Sequence, residues 1–363
     1  MDSGRAAFAF LAGVVLASGL GLVAINLRSA PTSPASSTPT SPAGSTVSPR
    51  PPSPSMSGSA TGPPPAGGNC PATGGRRVEV TDAPGLEGAL AAIRPGDVVH
   101  LVPGTYHGRF GSAVSGTTAA PIVVCGSRDA VLDGGEVDTG YGFHLEADYW
   151  VLQGFSVTHS QKGVVLDHAN HDELRDLGIY GIGDEGIHLR ACSSDNLVTD
   201  SDIHDVGKTD AHAGEGIYVG SAVDNWGTCS SGLPDKSDRN RVIGNRIGPD
   251  TTAESVDIKE GTTGTVVTGN TFDGRGMTAA DSWVDAKGND AVITGNTGTH
   301  APRDGFQTHI IVTGWGQGNR FTGNNAKVSG PGYGFRIDGP DNFVGCDNVV
   351  TGAKSGIANV PCG

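Results

Sequence analysis

The chain has 363 residues, 58 of them glycine, and a formal net charge of −14 at pH 7. Glycine stands at about twice its usual share and charged residues make up only 17%, which favours many turns and short strands over long surface helices. A nucleic-acid-binding protein is expected to be basic, so the acidic charge argues against nucleic acid as a partner. An acidic polymer could bind only where a metal ion or basic side chains reverse the local field.

The first segment, residues 1–28, is dominated by the apolar run AFAFLAGVVLASGLGLVAIN at 7–26, which lies between Arg5 and Arg28. Its length suits a membrane-spanning helix, and its position and basic flank also suit a signal peptide. No clear Ala-x-Ala cleavage site follows, which favours a retained membrane anchor over a cleaved signal. Both interpretations place the rest of the chain outside the cytoplasm, either at the cell surface or secreted.

Residues 29–69 consist mainly of Pro, Ser, Thr and Gly and contain very few hydrophobic residues. A segment of this composition cannot bury a core, so we predict a disordered stalk that separates the N-terminal segment from a folded domain at 70–363.

Six cysteines follow the stalk, and their even number predicts disulfides in an exported protein. No C-x-x-C motif occurs, which argues against a zinc site. Cys192–Cys229 and Cys346–Cys362 are sequence neighbours, which would leave Cys70 to pair with Cys125. Spacing alone leaves the pairing open.

Residues 86–93, LEGALAAI, form an apolar segment of helical character. We expect this short helix to cap the open end of the repeats that follow, because an uncapped end would expose strand edges.

A Gly-Asn repeat marks the later part of the chain. Short apolar runs in VIGNRIG, VVTGNTF, VITGNTG and RFTGNNA each end in Gly-Asn, and the asparagines follow at intervals of 25, 26 and 28 residues. Self-similarity at this period predicts a solenoid, and short strands without a helical period make it all-β. Stacked asparagines would hydrogen-bond the turns of successive coils. The four asparagines are Asn245, Asn270, Asn296 and Asn324.

A second strand precedes each Gly-Asn strand, in the versions EGIHLR, EGIYVG, ESVDIK, SWVDAK, DGFQTH and YGFRID. Its third and fifth places are mostly apolar and should fill the interior, so the fourth and sixth places should face outwards. The first place reads Glu185, Glu215, Glu254, Ser282, Asp304, Tyr333. The fourth place reads His188, Tyr218, Asp257, Asp285, Gln307, Arg336. The sixth place reads Arg190, Gly220, Lys259, Lys287, His309, Asp338.

Acidic and lysine side chains cluster in the middle of these rows. Successive coils lie about 4.8 Å apart, so carboxylates of neighbouring coils can reach one cation. Crowded carboxylates need a cation, a lysine or protonation, and oxygen ligands in an extracellular protein favour Ca²⁺. The alternative is a solvated sheet face crossed by Lys–Asp ion pairs. The predicted calcium ligands are Glu215, Glu254, Asp257 and Asp285.

The runs PGDVVHLVPGTY (95–106), GTTAAPIVVCG (116–126) and VLDGG (131–135) resemble the opening of proteins of the pectin lyase-like superfamily. Within it, the chain is most similar to the chondroitinase B and alginate lyase group, and next to the calcium-dependent pectate lyases. The resemblance covers about residues 77–350 and implies a right-handed parallel β-helix. These motifs indicate the fold more than the function, because this fold hosts many activities.

The resemblance also implies site residues. In the chondroitinase B and alginate lyase group, a calcium-binding glutamate precedes the lysine base by five residues, and Glu254 and Lys259 have that spacing. It therefore implies Glu254 as a calcium ligand and Lys259 as the base that removes the C5 proton of a uronic acid. The family's second glutamate is replaced by Thr252. Its catalytic arginine has no clear match, although Arg275 lies in a nearby loop and Lys287 could substitute in part.

Five further side chains are candidates for contact with a bound sugar chain. Tyr218 faces outwards beside the acids and is predicted to protonate the leaving oxygen. Trp283 could stack on a sugar ring. His188, Gln307 and His309 could bind the sugar, and a histidine could also act as acid or base, although a lone histidine is more often structural.

Together these features predict an extracellular monomer that cleaves a uronate-containing, acidic polysaccharide by calcium-assisted β-elimination. A long insertion within 214–240 is expected to wall its cleft. Three alternatives stay open. A glycoside hydrolase would need two carboxylates, but the signatures of β-helix polygalacturonases are missing. A non-catalytic glycan-binding surface protein is favoured by the N-terminal segment and stalk, and a C5-epimerase begins with the same proton abstraction.

Overall fold

Three parallel β-sheets wind the chain into a right-handed β-solenoid of about 11 turns. The structure is a computed structural model that describes Cys70 and residues 75–363. The predicted N-terminal segment (1–28) and stalk (29–69) lie outside the described residues. Within the described part, no helix is long and apolar enough to cross a membrane.

Each complete coil contributes one strand to each sheet, and all pairings between the strands are parallel. Sheet 1 contains Arg77–Val80, Val98–Leu101, Ile122–Cys125, Trp150–Gln153, Glu173–Arg175, Leu197–Thr199, Arg241–Ile243, Val266–Thr268, Val292–Thr294, Arg320–Thr322 and Phe343–Val344. Sheet 2 contains Phe110–Ser112, Tyr141–Leu145, Lys162–Asp167, Ile187–Arg190, Ile217–Val219, Val256–Ile258, Val284–Ala286, Phe306–Thr308, Tyr333–Arg336 and Gly356–Ala358. Sheet 3 contains Gly104–His107, Ala130–Asp133, Ser156–Thr158, Gly178–Tyr180, Asp202–His204, Arg246–Ile247, Thr271–Asp273, Thr297–Thr299, Asn325–Lys327 and Val349–Thr351.

The residues at the third and fifth places of the repeat lie on the inner face of sheet 2, as predicted. Their side chains are fully buried and stack in register from coil to coil, and burial stabilises each by about 1.5–3 kcal/mol. The alternation of inward and outward places along these strands is therefore confirmed. The stacked third-place residues are Ile187, Ile217, Val256, Val284 and Phe306.

The predicted asparagine ladder runs along the turn between sheets 1 and 3. The Nδ2 group of Asn270 donates to Oδ1 of Asn296 at 3.0 Å and to the carbonyl oxygen of Val242 at 2.9 Å. Asn245 and Asn324 make the same contacts with their own neighbours. Each side-chain amide thus satisfies buried backbone groups of the turns and ties one coil to the next.

Helix α1 (Ala83–Ala91) precedes the second coil and begins three residues before the predicted segment. Asp82 caps it, accepting a hydrogen bond from the Gly85 N–H at 2.8 Å. Leu86, Ala89 and Leu90 are buried in the main hydrophobic core. That the helix closes the end of the solenoid stays a prediction. The other helical turns are α2 (Trp226–Cys229) and the 3₁₀ segments Ala211–Ala213 and Val223–Asn225.

Two disulfides join Cys70 to Cys125 and Cys346 to Cys362, with Cα–Cα distances of 5.5 and 5.0 Å. The expected Cys192–Cys229 bond is absent, and both cysteines are free and half-buried.

Local contacts hold these two cysteines independently. Cys192 lies in a left-handed turn with φ 66°, where its N–H donates to Asp235 Oδ1 at 2.7 Å. Cys229 ends α2, which Trp226 anchors by donating its indole N–H to the Ser221 carbonyl at 2.9 Å. Proximity in sequence therefore did not predict a bond here.

Candidate active site

The predicted fourth-place row forms a continuous ladder on the outer side of sheet 2. Strand register pairs each member with the next, and successive members are about 4.8 Å apart. Most of the row is buried, because neighbouring side chains pack on one another and pair their charges, so the alternative of a solvated sheet face does not describe it. Tyr218 is 8% exposed, Asp257 1% and Asp285 4%. The row runs His188, Tyr218, Asp257, Asp285, Gln307, Arg336.

Asp257 is the centre of the charge network. Its Oδ1 accepts a hydrogen bond from Nζ of Lys287 at 2.7 Å, and its Oδ2 lies 2.8 Å from Nζ of Lys259. Both ammonium groups come from the predicted sixth-place row. A buried carboxylate with a positive charge on each oxygen is compensated for its loss of water.

The two lysines differ in their surroundings. Nζ of Lys287 also lies 2.9 Å from Asp285 Oδ2 and 3.9 Å from Glu254 Oε1. Burial alone would favour the neutral amine, but attraction to Asp257, Asp285 and Glu254 outweighs it and holds the pKa of Lys287 well above its usual value. Lys287 is therefore a fixed positive charge and a poor base.

Lys259 is less enclosed than Lys287. Its side chain is 14% exposed, and Asp257 is the carboxylate with which it pairs. Its Nζ lies 4.9 Å from the centroid of the Tyr218 ring, in cation–π geometry. Of the two lysines, Lys259 is the better placed to exchange a proton.

Glu215 and Glu254 complete the acidic cluster with Asp257. One carboxylate oxygen of each lies within 4.8 Å of the others. Burial, followed by repulsion from Asp257, raises the pKa of Glu215 well above its usual value and that of Glu254 to about 7. Oε2 of Glu215 is buried without a hydrogen-bond partner. A proton or a cation is needed to stabilise both groups there.

The donor set fits a hard divalent cation. Glu215, Glu254 and Asp257 offer carboxylate oxygens, and one of these oxygens has no other partner. Asp285, the fourth predicted ligand, is outside this group and is paired instead with Lys287 and His309.

Tyr218 is held as a neutral phenol. Burial, then repulsion from Asp257 and Glu215, raises the pKa of Tyr218 far above its ordinary value. Its ring packs edge-on against His188, with ring centroids 4.4 Å apart. A neutral phenol at this position can donate a proton but cannot readily accept one.

His188 supports Tyr218 and is not open to a substrate. Its Nε2 lies 2.9 Å from the Gly220 carbonyl oxygen, to which it donates. Its Nδ1 lies 3.3 Å from Oε1 of Glu185, at an angle that gives an ion-pair contact but no hydrogen bond. The imidazole is only 5% exposed, so the predicted sugar-binding role is wrong for this conformation.

His309 and Gln307 extend the site towards the C-terminal coils. Nδ1 of His309 lies 2.8 and 2.9 Å from the two carboxylate oxygens of Asp285, and this hydrogen bond raises the pKa of His309. The imidazole is half-exposed and is free to meet a ligand. Gln307 is buried, and its Nε2 donates to Oδ2 of Asp304 at 2.9 Å.

Two predicted site residues lie elsewhere. Trp283 is fully buried in the core, where its indole N–H donates to the Thr299 carbonyl at 3.0 Å. Gly298 makes room for it, since a Cβ there would be 2.4 Å from the indole ring. Arg275 follows a strand of sheet 3 and pairs with Asp273 on the surface, so it does not join the acidic cluster. The predictions for both residues are wrong.

A further acid–lysine group spans the two coils before that of Tyr218. Nζ of Lys162 contacts Oε2 of Glu185 and lies 3.8 Å from Oδ2 of Asp184. Sequence reasoning aligned Glu185 but missed Lys162. The segment that contains Lys162, QKGVVLD, pairs in register with EGIHLR. Its similarity to the aligned strands was the signal that could have identified Lys162.

The insertion forms a wall beside these N-terminal coils. Thr228 and Cys229 border a cavity of about 300 Å³ together with Tyr141 and Arg190 of sheet 2. The backbone N–H of Val223 donates to Glu260 Oε1 at 2.7 Å, which ties the insertion to the coil of Lys259. The insertion thus borders the outer face of sheet 2.

Comparison with known proteins identifies the fold and the family. The chain aligns with a crystal structure of an alginate lyase from Paenibacillus sp. str. FPU-7 at 39% identity and a TM-score of 0.74, covering 78% of this chain and 99% of that one. The chain belongs to the pectin lyase-like superfamily, in the family of this alginate lyase.

More distant members of the superfamily share the fold. A rhamnogalacturonan lyase structure aligns at 15% identity and a TM-score of 0.61, over 79% of this chain and 87% of that one. Pectate lyase L of Dickeya dadantii (strain 3937) is 28% identical over 131 residues, 32% of this chain. The chain spans about a third (31%) of the length of that curated relative. No protein-family model matches the sequence. The chain is thus polysaccharide lyase-like in fold and relatives.

Proposed function

We propose that this protein is a polysaccharide lyase that cleaves a uronate polymer by β-elimination, with Lys259 as base and Tyr218 as acid. The observation that carries this proposal is the closeness of Lys259 and Tyr218. Nζ of Lys259 lies 4.9 Å from the Tyr218 ring, beside a buried cluster of carboxylates on the outer face of sheet 2. The 39% identical relative is an alginate lyase, so alginate is the first polymer to test.

The chemistry needs one base and one acid on the same sheet face. The neutral Lys259 amine removes the proton from C5, which is acidic because it adjoins a carboxylate. The C5–H electron pair forms the C4–C5 double bond as the glycosidic C4–O bond breaks. The departing oxygen takes the phenol proton of Tyr218, whose raised pKa keeps that proton in place beforehand. The products are an unsaturated uronate end and a new free hydroxyl.

The shared carboxylate helps Lys259 to act as a base. Asp257 pairs with Lys259 at 2.8 Å through one of its carboxylate oxygens. Lys287 bonds to the other oxygen of the same carboxylate at 2.7 Å, so the negative charge of Asp257 is already partly neutralised. Asp257 therefore attracts the Lys259 side chain less strongly than an unshared carboxylate would.

The substrate carboxylate also requires positive charge or hydrogen-bond donors as charge develops on it. Lys287 and His309 supply positive charge. When no cation is bound, the raised pKa values of Glu215 and Glu254 favour protonated carboxyl groups, which can donate hydrogen bonds. Bound Ca²⁺ would be held by Glu215, Glu254 and Asp257 and would supply further charge stabilisation.

We also propose that the protein works outside the cytoplasm. The two disulfides are of the kind that persists in an oxidising compartment. The apolar N-terminal run supports export in addition.

A panel of uronate polysaccharides tests the function. Alginate, polygalacturonate and chondroitin are each incubated with the protein, with Ca²⁺ or with a chelator, and the ultraviolet absorbance of unsaturated ends is followed. We expect the absorbance to rise with alginate. If products form without unsaturated ends, the protein is a hydrolase. If solvent deuterium enters C5 without cleavage, it is an epimerase. If glycan binds and nothing turns over, the lyase proposal is wrong.

A further inference from the structure

A second cavity lies on the outer side of sheet 2, on the C-terminal side of the acidic cluster. Its volume is about 240 Å³. Its lining includes Arg303, Asp304, Tyr333, Arg336 and Ser355. Two arginines and a tyrosine in one cavity are the side chains expected of a site for an anionic sugar.

Strand register fixes where this cavity lies relative to the candidate active site. Arg336 pairs with Gln307, which pairs with Asp285. Arg336 is therefore two coils from Asp285, or about 10 Å along the solenoid. A 1,4-linked pyranose advances a polysaccharide by roughly one coil spacing. Asp257, in the coil of Lys259, is one coil further away and Tyr218 two, so the cavity lies a small number of sugar residues from Lys259 and Tyr218.

The guanidinium of Arg336 is only loosely paired within the protein. Its Nη2 lies 3.4 Å from Asp338 Oδ1, and its Nε is buried without a hydrogen-bond partner. By contrast, Arg190 lies 2.7 Å from Asp167 and bonds both of its oxygens. Arg336 therefore retains donors that a ligand carboxylate could use.

Arg303, which also lines the cavity, is loosely paired as well. It is exposed, and its closest contacts are Asp304 Oδ2 at 3.5 Å and Asp281 Oδ2 at 3.9 Å. Asp304 is the acid in the cavity lining, but its oxygens already accept hydrogen bonds from the Tyr333 N–H at 2.5 Å and from Gln307 Nε2 at 2.9 Å. The two arginines thus offer N–H donors to a ligand, whereas the carboxylate of Asp304 is occupied by hydrogen bonds within the protein.

We propose that this cavity is a subsite that binds the carboxylate of a uronate residue two or three positions from the bond that is cleaved. Arg336 and Arg303 would donate to that carboxylate, and Tyr333 would contact the sugar. The proposal rests on the proposed function, since it assigns part of the same substrate. It implies that chains long enough to reach the cavity bind more tightly than short ones.

The test compares oligouronates of increasing length. Arg336→Gln and Arg303→Gln are assayed beside wild type, with Arg275→Gln as the control, because Arg275 is also an exposed arginine but follows a strand of sheet 3 and does not line the cavity. For oligouronates that reach the cavity, we expect KM to rise about tenfold in Arg336→Gln with kcat unchanged. Short oligouronates should show no difference, and the control should match wild type at every length. Arg336→Lys should restore part of the affinity by keeping the charge.

A binding measurement separates this proposal from the proposed function. Calorimetry on the Lys259→Ala background measures affinity for a long oligouronate and for its carboxyl-reduced, neutral counterpart. Weaker binding of the neutral form, and a clearly smaller preference once Arg336→Gln is added, supports the subsite even if no polymer is cleaved. Equal binding of the two forms, or a loss of affinity in Arg336→Gln at every length, overturns it. If Arg336→Gln does not fold, the same binding measurements are made with Arg303→Gln and judged by the same outcomes.

Discussion

Nζ of Lys287 lies 2.7 Å from Oδ1 of Asp257, and Nζ of Lys259 lies 2.8 Å from the other oxygen of that carboxylate. One buried acid is thus shared between a buried lysine, Lys287, and a somewhat more exposed one, Lys259. Lys287 neutralises much of the charge of Asp257. Lys259 lies beside the Tyr218 ring on the outer face of sheet 2. This division of roles predicts different effects for the two lysines.

Replacing Lys287 should mainly affect stability. Lys287→Met leaves Asp257 and Asp285 without their buried cation, and we expect a loss of about 3–5 kcal/mol in the free energy of unfolding. Urea denaturation measures it. Adding Asp257→Asn should recover part of the loss, because the buried charge is removed, and Lys327→Met, on an exposed lysine of sheet 3, should change little. A Lys287→Met protein as stable as wild type would contradict the network.

Replacing Tyr218 should affect catalysis and spare binding. Tyr218→Phe removes the proton donor while keeping the ring that packs on His188. We expect kcat on alginate to fall by on the order of 100-fold or more with KM little changed. Tyr180→Phe is the matched control, since Tyr180 stacks on His204 in sheet 3. A kcat that falls no further in Tyr218→Phe than in the control would exclude the assigned acid.

Calcium should stabilise the folded protein if the acidic cluster binds it. Binding to the native state raises Tm in a manner that depends on the Ca²⁺ concentration, and differential scanning calorimetry with and without chelator detects the shift. Glu254→Gln should remove the shift, whereas Glu87→Gln on helix α1 should keep it. A Tm that does not respond to Ca²⁺ in wild type would mean that protons and lysines alone balance these acids.

Asp172 predicts a pH dependence that has nothing to do with catalysis. Asp172 continues a row of asparagines at another turn of the coils, in which the N–H of Asn196 donates to Asn240 Oδ1 at 3.0 Å. The N–H of Asp172 donates to Asn196 Oδ1 at 2.8 Å, and its Oδ1 accepts from the Trp150 N–H at 2.7 Å. Its Oδ2 is buried without a partner, in the place where an asparagine would have its amide nitrogen. Burial raises the pKa of Asp172 to about 8.

The sign of the effect follows from this shift. Between the unfolded value near 3.8 and the folded value near 8, the folded state keeps the proton that the unfolded state loses, so stability falls as pH rises. Asp172→Asn removes this loss and should stabilise the protein by on the order of 2–4 kcal/mol at pH 7, with little effect at pH 4. Asp341→Asn is the exposed control. Equal stability of Asp172→Asn and wild type at pH 7 would show that Asp172 is ionised without penalty.

The sequence was sufficient for the solenoid and for the outward ladder because both follow from the two-residue alternation of strands and a fixed coil period. The row that contains Tyr218 and Asp257 formed as aligned. Burial of that row was not predictable, since it depends on how side chains of adjacent coils pack and pair their charges. Trp283 could not be placed from its own strand, because the space for it comes from Gly298 of a different sheet.

Loops were harder to predict than strands. Arg275 follows a strand of sheet 3, so the turn carries it away from the acids although it is close to them in sequence. The unbonded Cys192 and Cys229 show the same limit, since Asp235 holds the turn of Cys192 while Trp226 anchors the helical turn that Cys229 ends. Sequence separation is a weak guide wherever the coil period is interrupted.

The most direct test of the central claim is the rate at which unsaturated ends form from alginate in wild type, Lys259→Ala and Lys327→Ala. Lys259 faces the site and Lys327 is an exposed lysine on sheet 3, so both variants lose one lysine and only one loses the assigned base. The account predicts that wild type and Lys327→Ala produce the ultraviolet absorbance at similar rates while Lys259→Ala produces almost none, with circular dichroism unchanged. Equal rates in all three proteins would contradict it.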